Sequence, residues 1–179
     1  ELVKPSERHL AQQQARSISI KNLSQYSWRG LRLGEHALAG ALRFFARGDL
    51  AQERYGEVVL RRYLEASYLT AFALGNLLDQ FSFQSACFHH GIYVPQGIIG
   101  EVCRQKQVRV VKWVPTYRKQ CFIFSHEDTY HHTLMNEPTT VWEDLPWSVA
   151  REQSLMDYLH SRWQGSQDWI RFHHNPQEN

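Results

Sequence analysis

The sequence predicts an α/β fold in which a small, mostly parallel sheet of about three strands carries long helices, the N-terminal half being helical. Three observations lead there. Over residues 1–80 the apolar positions recur at helical spacing with no strand-like alternation. Residues 85–113 then read as strand, helix, strand, the pattern of a parallel βαβ unit with a right-handed crossover. The next strand follows after a connection too short for another parallel crossover.

Taken in order, the first helix begins near Ser6, a predicted N-cap, with His9 and Leu10 in the turns that follow. Between Ser27 and Gly48, residues Trp28, Leu31, Leu38, Ala41, Leu42 and Phe45 fall three, four or seven apart and form one helical stripe. Arg29, Arg32, Arg43 and Arg47 fall largely on the other side, as a solvated face or an anion-binding surface. A second long helix spans about Glu57 to Leu78. Its leucines, valines and aromatics occupy nearly every side, which predicts burial, while Glu65, Asn76 and the small residues Ala66, Ala71, Ala73 and Gly75 argue against a membrane span.

Ser85-Ala86-Cys87-Phe88 and Val108-Arg109-Val110-Val111-Lys112-Trp113 are short, β-prone runs bounded by turn residues. Pro95 to Gln107 between them holds a three-turn helix with Pro95 at or near its start and Ile98, Ile99 and Val102 as its apolar stripe. Cys121 to Phe124 makes a third strand that returns antiparallel. After the loop from Pro138 to Pro146, Ser148 to Trp163 resumes helical spacing, with Gly165 as its stop.

Composition narrows the function classes. The chain has 179 residues, 42% of them hydrophobic and 21% charged, which is the profile of an ordinary globular domain large enough to need no metal or disulfide staple. A net charge of +2 and a pI near 8.5 lack the basic footprint of a dedicated nucleic-acid binder. Cys87, Cys103 and Cys121 are odd in number and lie in apolar runs, which predicts buried reduced thiols and a reducing, cytoplasmic setting. No run of 18 uncharged apolar residues and no export signal is present. Opening at Glu1 and closing on a polar run, the chain reads as one domain excised from a larger protein: a helical part over 1–80, a βαβ-containing part over 81–165 and a polar tail over 166–179.

The segment with most chemistry is Phe88-His89-His90-Gly91-Ile92-Tyr93-Val94-Pro95-Gln96-Gly97, which leaves a strand and enters a helix. Ligands of open α/β sheets bind at the carboxyl ends of parallel strands, where helix N-termini present free N–H groups. Gly91 and Gly97 permit close backbone approach, and a histidine there can accept a proton from a hydroxyl near neutral pH. The alternative is a pair of packing histidines and a turn glycine. The spacing matches neither a dinucleotide fingerprint nor a P-loop.

A second cluster comprises Tyr117-Arg118 and Ser125-His126-Glu127-Asp128-Thr129-Tyr130-His131-His132. Its histidines invite a zinc-hydrolase reading, but His126 and His131 are five apart, where two ligands on one helix face need four. The doublets His89/His90, His131/His132 and His173/His174 point adjacent side chains apart. No nucleophile elbow is present, and the paired carboxylates Glu127/Asp128 and Glu143/Asp144 are sequence neighbours.

Three segments together resemble a known family: Phe88-His89-His90-Gly91-Ile92-Tyr93-Val94-Pro95-Gln96-Gly97, Phe122-Ile123-Phe124-Ser125-His126-Glu127-Asp128-Thr129-Tyr130-His131, and Tyr158-Leu159-His160-Ser161-Arg162-Trp163-Gln164-Gly165-Ser166-Gln167-Asp168-Trp169. Trp28-Arg29-Gly30 extends the likeness toward the N-terminus. They are similar to bacterial capsular and lipopolysaccharide-type surface polysaccharide biosynthesis proteins, regarded as GT-B glycosyltransferases. That resemblance implies two Rossmann-like domains facing across a cleft, acceptor contacts from the N-terminal one, and a nucleotide-sugar donor held mainly by the other. This chain is too short for both and lacks an opening strand with a glycine-rich turn, so it is similar to the later part of the N-terminal domain.

The resemblance implies that His89 or His90 is the base for a saccharide acceptor hydroxyl and that the loop through Gly91, Tyr93 and Gln96 borders the cleft. Tyr117 and Arg118 would contact acceptor hydroxyls or a phosphate. His126, Asp128 and His131 would join the site if their strand ran parallel, and an antiparallel return would carry them to the opposite edge. The resemblance implies no cofactor and assigns no metal ligands, GT-B enzymes often needing no metal; it implies a cytoplasmic place, with the inner face of the membrane as an alternative. The competing readings are a non-catalytic polysaccharide- or protein-binding module and a His-rich metal-dependent hydrolase. An apolar face left open by the absent strands would favour a homodimer.

Overall fold

A computed structural model describes residues 1–116, 120–134 and 137–165. Helix α1 (Pro5–Ser17) is followed by a 3-10 turn (Leu23–Gln25), α2 (Leu33–Phe45), α3 (Gly56–Gln80), β1 (Ser85–His89), α4 (Gln96–Gln105), β2 (Arg109–Pro115) and β3 (Phe122–His126). Helix α5 (Tyr130–Thr133), a 3-10 turn (Thr139–Trp142) and α6 (Val149–Gln164) complete the order. The fold is α/β and mostly helical. The polar tail over 166–179 lies outside the described residues.

The chain divides into two compact units, one formed by Glu1–Trp113 with Ser125–Thr129, the other by Val114–Phe124 with Tyr130–Asn179. In the first, α1, α2 and α3 bury a core of Ala11, Ala15, Leu33, Ala37, Ala41, Leu60, Leu64 and Tyr68. Small residues let the helices approach closely: a β-carbon on Gly40 of α2 would lie 2.6 Å from the Tyr63 ring of α3. A smaller cluster of Cys103, Val108 and Val110 joins α4 to the sheet.

Several helix boundaries differ from the sequence reading, each for a local reason. Helix α1 starts at Pro5, whose missing N–H costs nothing at the first position, and the Glu7 carboxylate accepts the Lys4 N–H at 2.7 Å, so Ser6 lies inside the helix instead of capping it. Helix α2 starts at Leu33 because Trp28 and Leu31 exchange two backbone hydrogen bonds of 2.9 Å across Arg29 (φ 51°) and Gly30 (φ 80°), a two-residue turn with both central residues left-handed. Trp28 therefore leaves the predicted stripe and packs edge-on against Tyr68 and Phe72 of α3. Helix α3 is buried along one face through Leu60, Leu64, Ser67, Tyr68 and Ala71, whereas Val58 is 58% exposed, so burial on every side is not what forms.

Strands β1 and β2 pair parallel, from Ser85 opposite Arg109 to His89 opposite Trp113, with α4 as the crossover. Strand β3 lies on the other side of β2. Within the first unit the Glu127 N–H donates to the Val110 carbonyl at 2.9 Å, and within the second the Thr116 N–H donates to the Cys121 carbonyl at 3.0 Å, two bonds of one antiparallel register. The sheet is thus mixed, one parallel and one antiparallel pair, and not mostly parallel. The short connection between β2 and β3 dictates this.

Of the cysteines, only Cys103 is buried; Cys121 is half-buried and Cys87 is exposed on β1, whose alternate residues face outward. In the second unit α6 forms as expected, with Ser148 Oγ accepting the Arg151 N–H at 3.3 Å and Gly165 closing the helix at φ 63°. Among the described residues no helix is long and apolar enough to cross a membrane.

Candidate functional site

Strand β1 delivers His89 to the carboxyl edge of the parallel pair, its ring 4.8 Å from that of Trp113 on β2. His90 then donates its backbone N–H to the Trp113 carbonyl at 3.1 Å, extending the ladder by one residue. There the chain turns with φ 64° at His90 and 81° at Gly91. The imidazoles of His89 and His90 meet edge to face at 4.1 Å and do not point apart as expected of a doublet, because His90 leaves the extended geometry of the strand, and the Tyr93 ring lies 5.7 Å from that of His90. Gln96, half-buried, opens α4 at the far end of this loop.

Glycines are required because buried polar side chains lie directly beneath the loop. A β-carbon on Gly91 would fall 2.4 Å from Cδ of Lys112, and one on Gly97 would fall 2.1 Å from Nδ1 of His36. That Nδ1 contacts the Ile92 carbonyl at 2.6 Å and, facing an acceptor, is the donor. The ring of His36 thereby ties α2 to the His89–Gln96 segment.

Behind the loop sits an ionic network that the sequence reading did not assemble. Glu101 on α4, 7% exposed, accepts Nε of Arg32 at 3.0 Å and Nη2 of Arg32 at 2.6 Å, and it also pairs with Arg104. Nε2 of His36 stands 3.6 Å from the same carboxylate, a longer approach than those of Arg32. Burial alone would raise the Glu101 pKa, but His36, Arg32 and Arg104 outweigh it and hold this carboxyl well below the ordinary range. Arg32 is accordingly a partner of Glu101 and not part of a solvated arginine face.

Lys112 on β2 is 2% exposed, and its ammonium has no hydrogen-bond partner among the described residues. Burial pushes its pKa down to about 8; Arg104 adds to the shift, while Asp128 and Glu101 oppose it. Asp128 stands 3.6 Å from Arg32, 3.7 Å from Lys112 and 3.8 Å from Arg104. Although β3 returns antiparallel, the chain reverses at Glu127 (φ 64°), and Thr129 Oγ1 donates to the His90 carbonyl at 3.3 Å.

The structure therefore gathers His89, His90, Gly91, Tyr93, Gln96 and Asp128 into one region of the first unit. The expectation that an antiparallel strand carries Asp128 away is overturned by that reversal. His126 remains at the exposed end of β3. His131 lies on α5 in the second unit, its ring 3.9 Å from that of Tyr130, with burial and His132 lowering its pKa. Tyr117 and Arg118 lie outside the described residues. Among the described residues no group of three His, Cys, Asp or Glu is placed to hold a metal ion.

One signal for Lys112 was present in the sequence. Val108, Val110, Lys112 and Val114 alternate, which places the lysine on the inward face of its strand. Glu101 had no such signal, since its partner Arg32 is 69 residues away in the chain. Chemically, the region offers two half-buried imidazoles at the end of a parallel strand above a buried ionic base; Gly91 and Gly97 are themselves buried, and the close approach expected of them is made by the side chains of Lys112 and His36 and not left open to a ligand. No known protein family, no curated protein and no solved structure matches the chain.

Proposed function

We propose that this chain is the acceptor-side part of a glycosyltransferase acting in surface polysaccharide biosynthesis. The observation that carries the reading is the β1–α4–β2 unit, which sets His89, His90 and Gly91 at the carboxyl edge of two parallel strands where α4 begins. In this reading the sheet belongs to a Rossmann-like half, and the nucleotide-sugar is held by a second half outside this chain. The resemblance in the histidine loop, the β3 segment and α6 supports the same assignment.

In the proposed reaction the acceptor hydroxyl oxygen forms a bond to the anomeric carbon of the donor. The bond from that carbon to the nucleotide phosphate breaks, and the phosphate leaves with the electron pair. His90, or His89 beside it, takes the hydroxyl proton. The neighbours contribute by positioning: Thr129 and the Trp113 carbonyl fix the backbone of His90 on both sides, and Lys112 supports Gly91 from below.

Amide NMR shifts of the His89–Gln96 loop during titration with short bacterial oligosaccharides and nucleotide sugars test this, repeated with His90→Ala and His89→Ala, so that only binding at the loop is read. Oligosaccharide binding that weakens at least tenfold in one substitution, with little nucleotide-sugar binding, is the expected result. Oligosaccharide binding that neither substitution changes, or none at all, would overturn the assignment of this loop.

A further inference from the structure

A cavity of about 260 Å³ opens at the opposite end of α4 from the histidine loop, within the first unit. Its walls come from α1, the Trp28–Leu31 turn, α3 and the last turn of α4. Ten residues of α4 put roughly 15 Å between the two ends, so this space is separate from the site described above. We infer that this cavity is a binding site for a neutral saccharide unit.

Three features select that ligand class. The apolar wall is Trp28 and Phe72, rings 5.2 Å apart, the surface against which the C–H face of a sugar ring packs. Around it stand groups whose one polar atom is already engaged and whose second is left over. Asn76 Nδ2 donates to Glu7 and to the Leu2 carbonyl, which leaves its Oδ1 as an acceptor. Gln105 Nε2 donates to the Arg29 carbonyl at 2.8 Å, leaving Oε1; Lys106 Nζ meets Asp79 Oδ1 at 2.6 Å, leaving Oδ2. Fixed acceptors of this kind suit hydroxyl donors.

Charge completes the argument. Glu7 and Asp79 balance Arg29 and Lys106 around the rim, so the cavity favours neither an anion nor a cation. Arg29 lies 4.5 Å over the Trp28 ring and holds one side of it, its backbone set by the left-handed turn. Gly75 opens the remaining space: a β-carbon built there meets no atom within 4 Å, although the residue sits within α3 with ordinary helical geometry. A glycine is disfavoured inside a helix, and its place on the cavity wall gives it a purpose. The inference does not depend on His90 acting as a base.

The experiment titrates the whole chain with methyl glycosides of glucose, galactose, mannose and N-acetylglucosamine, with glucuronate as the anionic comparison, while amide and indole NMR shifts are followed. Saturable shifts at the Trp28 indole and at Asn76 with a neutral sugar are expected, at least tenfold weakened in Gly75→Leu, which fills the space without a backbone clash, and unaffected by His90→Ala. Gln105→Ala, at an exposed position, serves as a second variant should Gly75→Leu fail to fold, and the same weakening is expected there. No saturable shift with any neutral sugar, a preference for glucuronate, or binding that survives the cavity substitutions would overturn the inference. Loss in His90→Ala alone would assign the binding to the histidine loop instead, and also overturn it.

Discussion

Gly91 lies directly against the buried side chain of Lys112, so closely that a β-carbon at 91 would fall 2.4 Å from the lysine Cδ and 2.5 Å from its Cε. The glycine also holds φ at 81°, where a side chain is strained. Gly91→Ala is therefore expected to lower stability by about 1–3 kcal/mol. In a Lys112→Ala background the clash disappears and only the backbone strain remains, so the penalty shrinks. Urea denaturation of the four proteins of this cycle measures the difference, and equal penalties in both backgrounds would contradict the contact.

Lys112 also imposes a pH dependence. Its folded pKa, about 8, lies below the ordinary 10.5, so below pH 8 both folded and unfolded chains are protonated and the full cost of burying the charge is present. Between pH 8 and 10.5 the folded protein releases its proton while the unfolded chain keeps one, and stability rises with pH. The gain is at most about 3 kcal/mol, and Lys112→Met should lack it. Urea midpoints at pH 7.5 and pH 10 for both proteins check this; parallel behaviour would refute it.

Glu101 works in the acid direction. Its folded pKa is held below the ordinary carboxylate value, so its stabilisation is present in full above that value and is lost as pH falls through the folded one. Glu101→Gln removes this component and leaves Arg32 and Arg104 facing a neutral amide. A loss of about 3 kcal/mol at neutral pH is expected, with a shallower decline in acid than the unsubstituted protein shows. Acid titrations followed by circular dichroism would show the contrast.

Two helical glycines should respond oppositely to alanine. At Gly40 the new methyl group meets the Tyr63 ring at 2.6 Å and separates α2 from α3, for a loss of about 1–3 kcal/mol. At Gly75 it meets nothing, and the better helix former should raise stability by about 1 kcal/mol. Thermal melts of the two variants decide; a loss at Gly75 would contradict the open space beside it.

What the sequence revealed and what it hid divide along chain separation. The βαβ unit and the antiparallel third strand were legible because connection length and local alternation decide them, at Pro95–Gln107 and between Trp113 and Cys121. The start of α2 was not, because Trp28 has helical spacing to Leu31 yet Arg29 and Gly30 take left-handed geometry and close a turn. The histidine loop was visible as a loop, whereas its support was not: the Arg32–Glu101 pair spans 69 residues and the Thr129–His90 bond 39, distances over which no periodicity informs. Lys112 was the exception, a charged residue in the inward register of a valine strand.

The reversal at Glu127 has a further consequence for how this polypeptide can be divided. Ser125–Thr129 belong to the first unit while the residues on either side of them belong to the second, so no single cut separates the two. A peptide ending at Trp113 would lose the Thr129 bond to the His90 carbonyl and the Asp128 charge beside Lys112, and the backbone of His90 would be held by the Trp113 carbonyl on one side only. Inheritance or engineered exchange of the first unit as a module must therefore carry this downstream stitch with it.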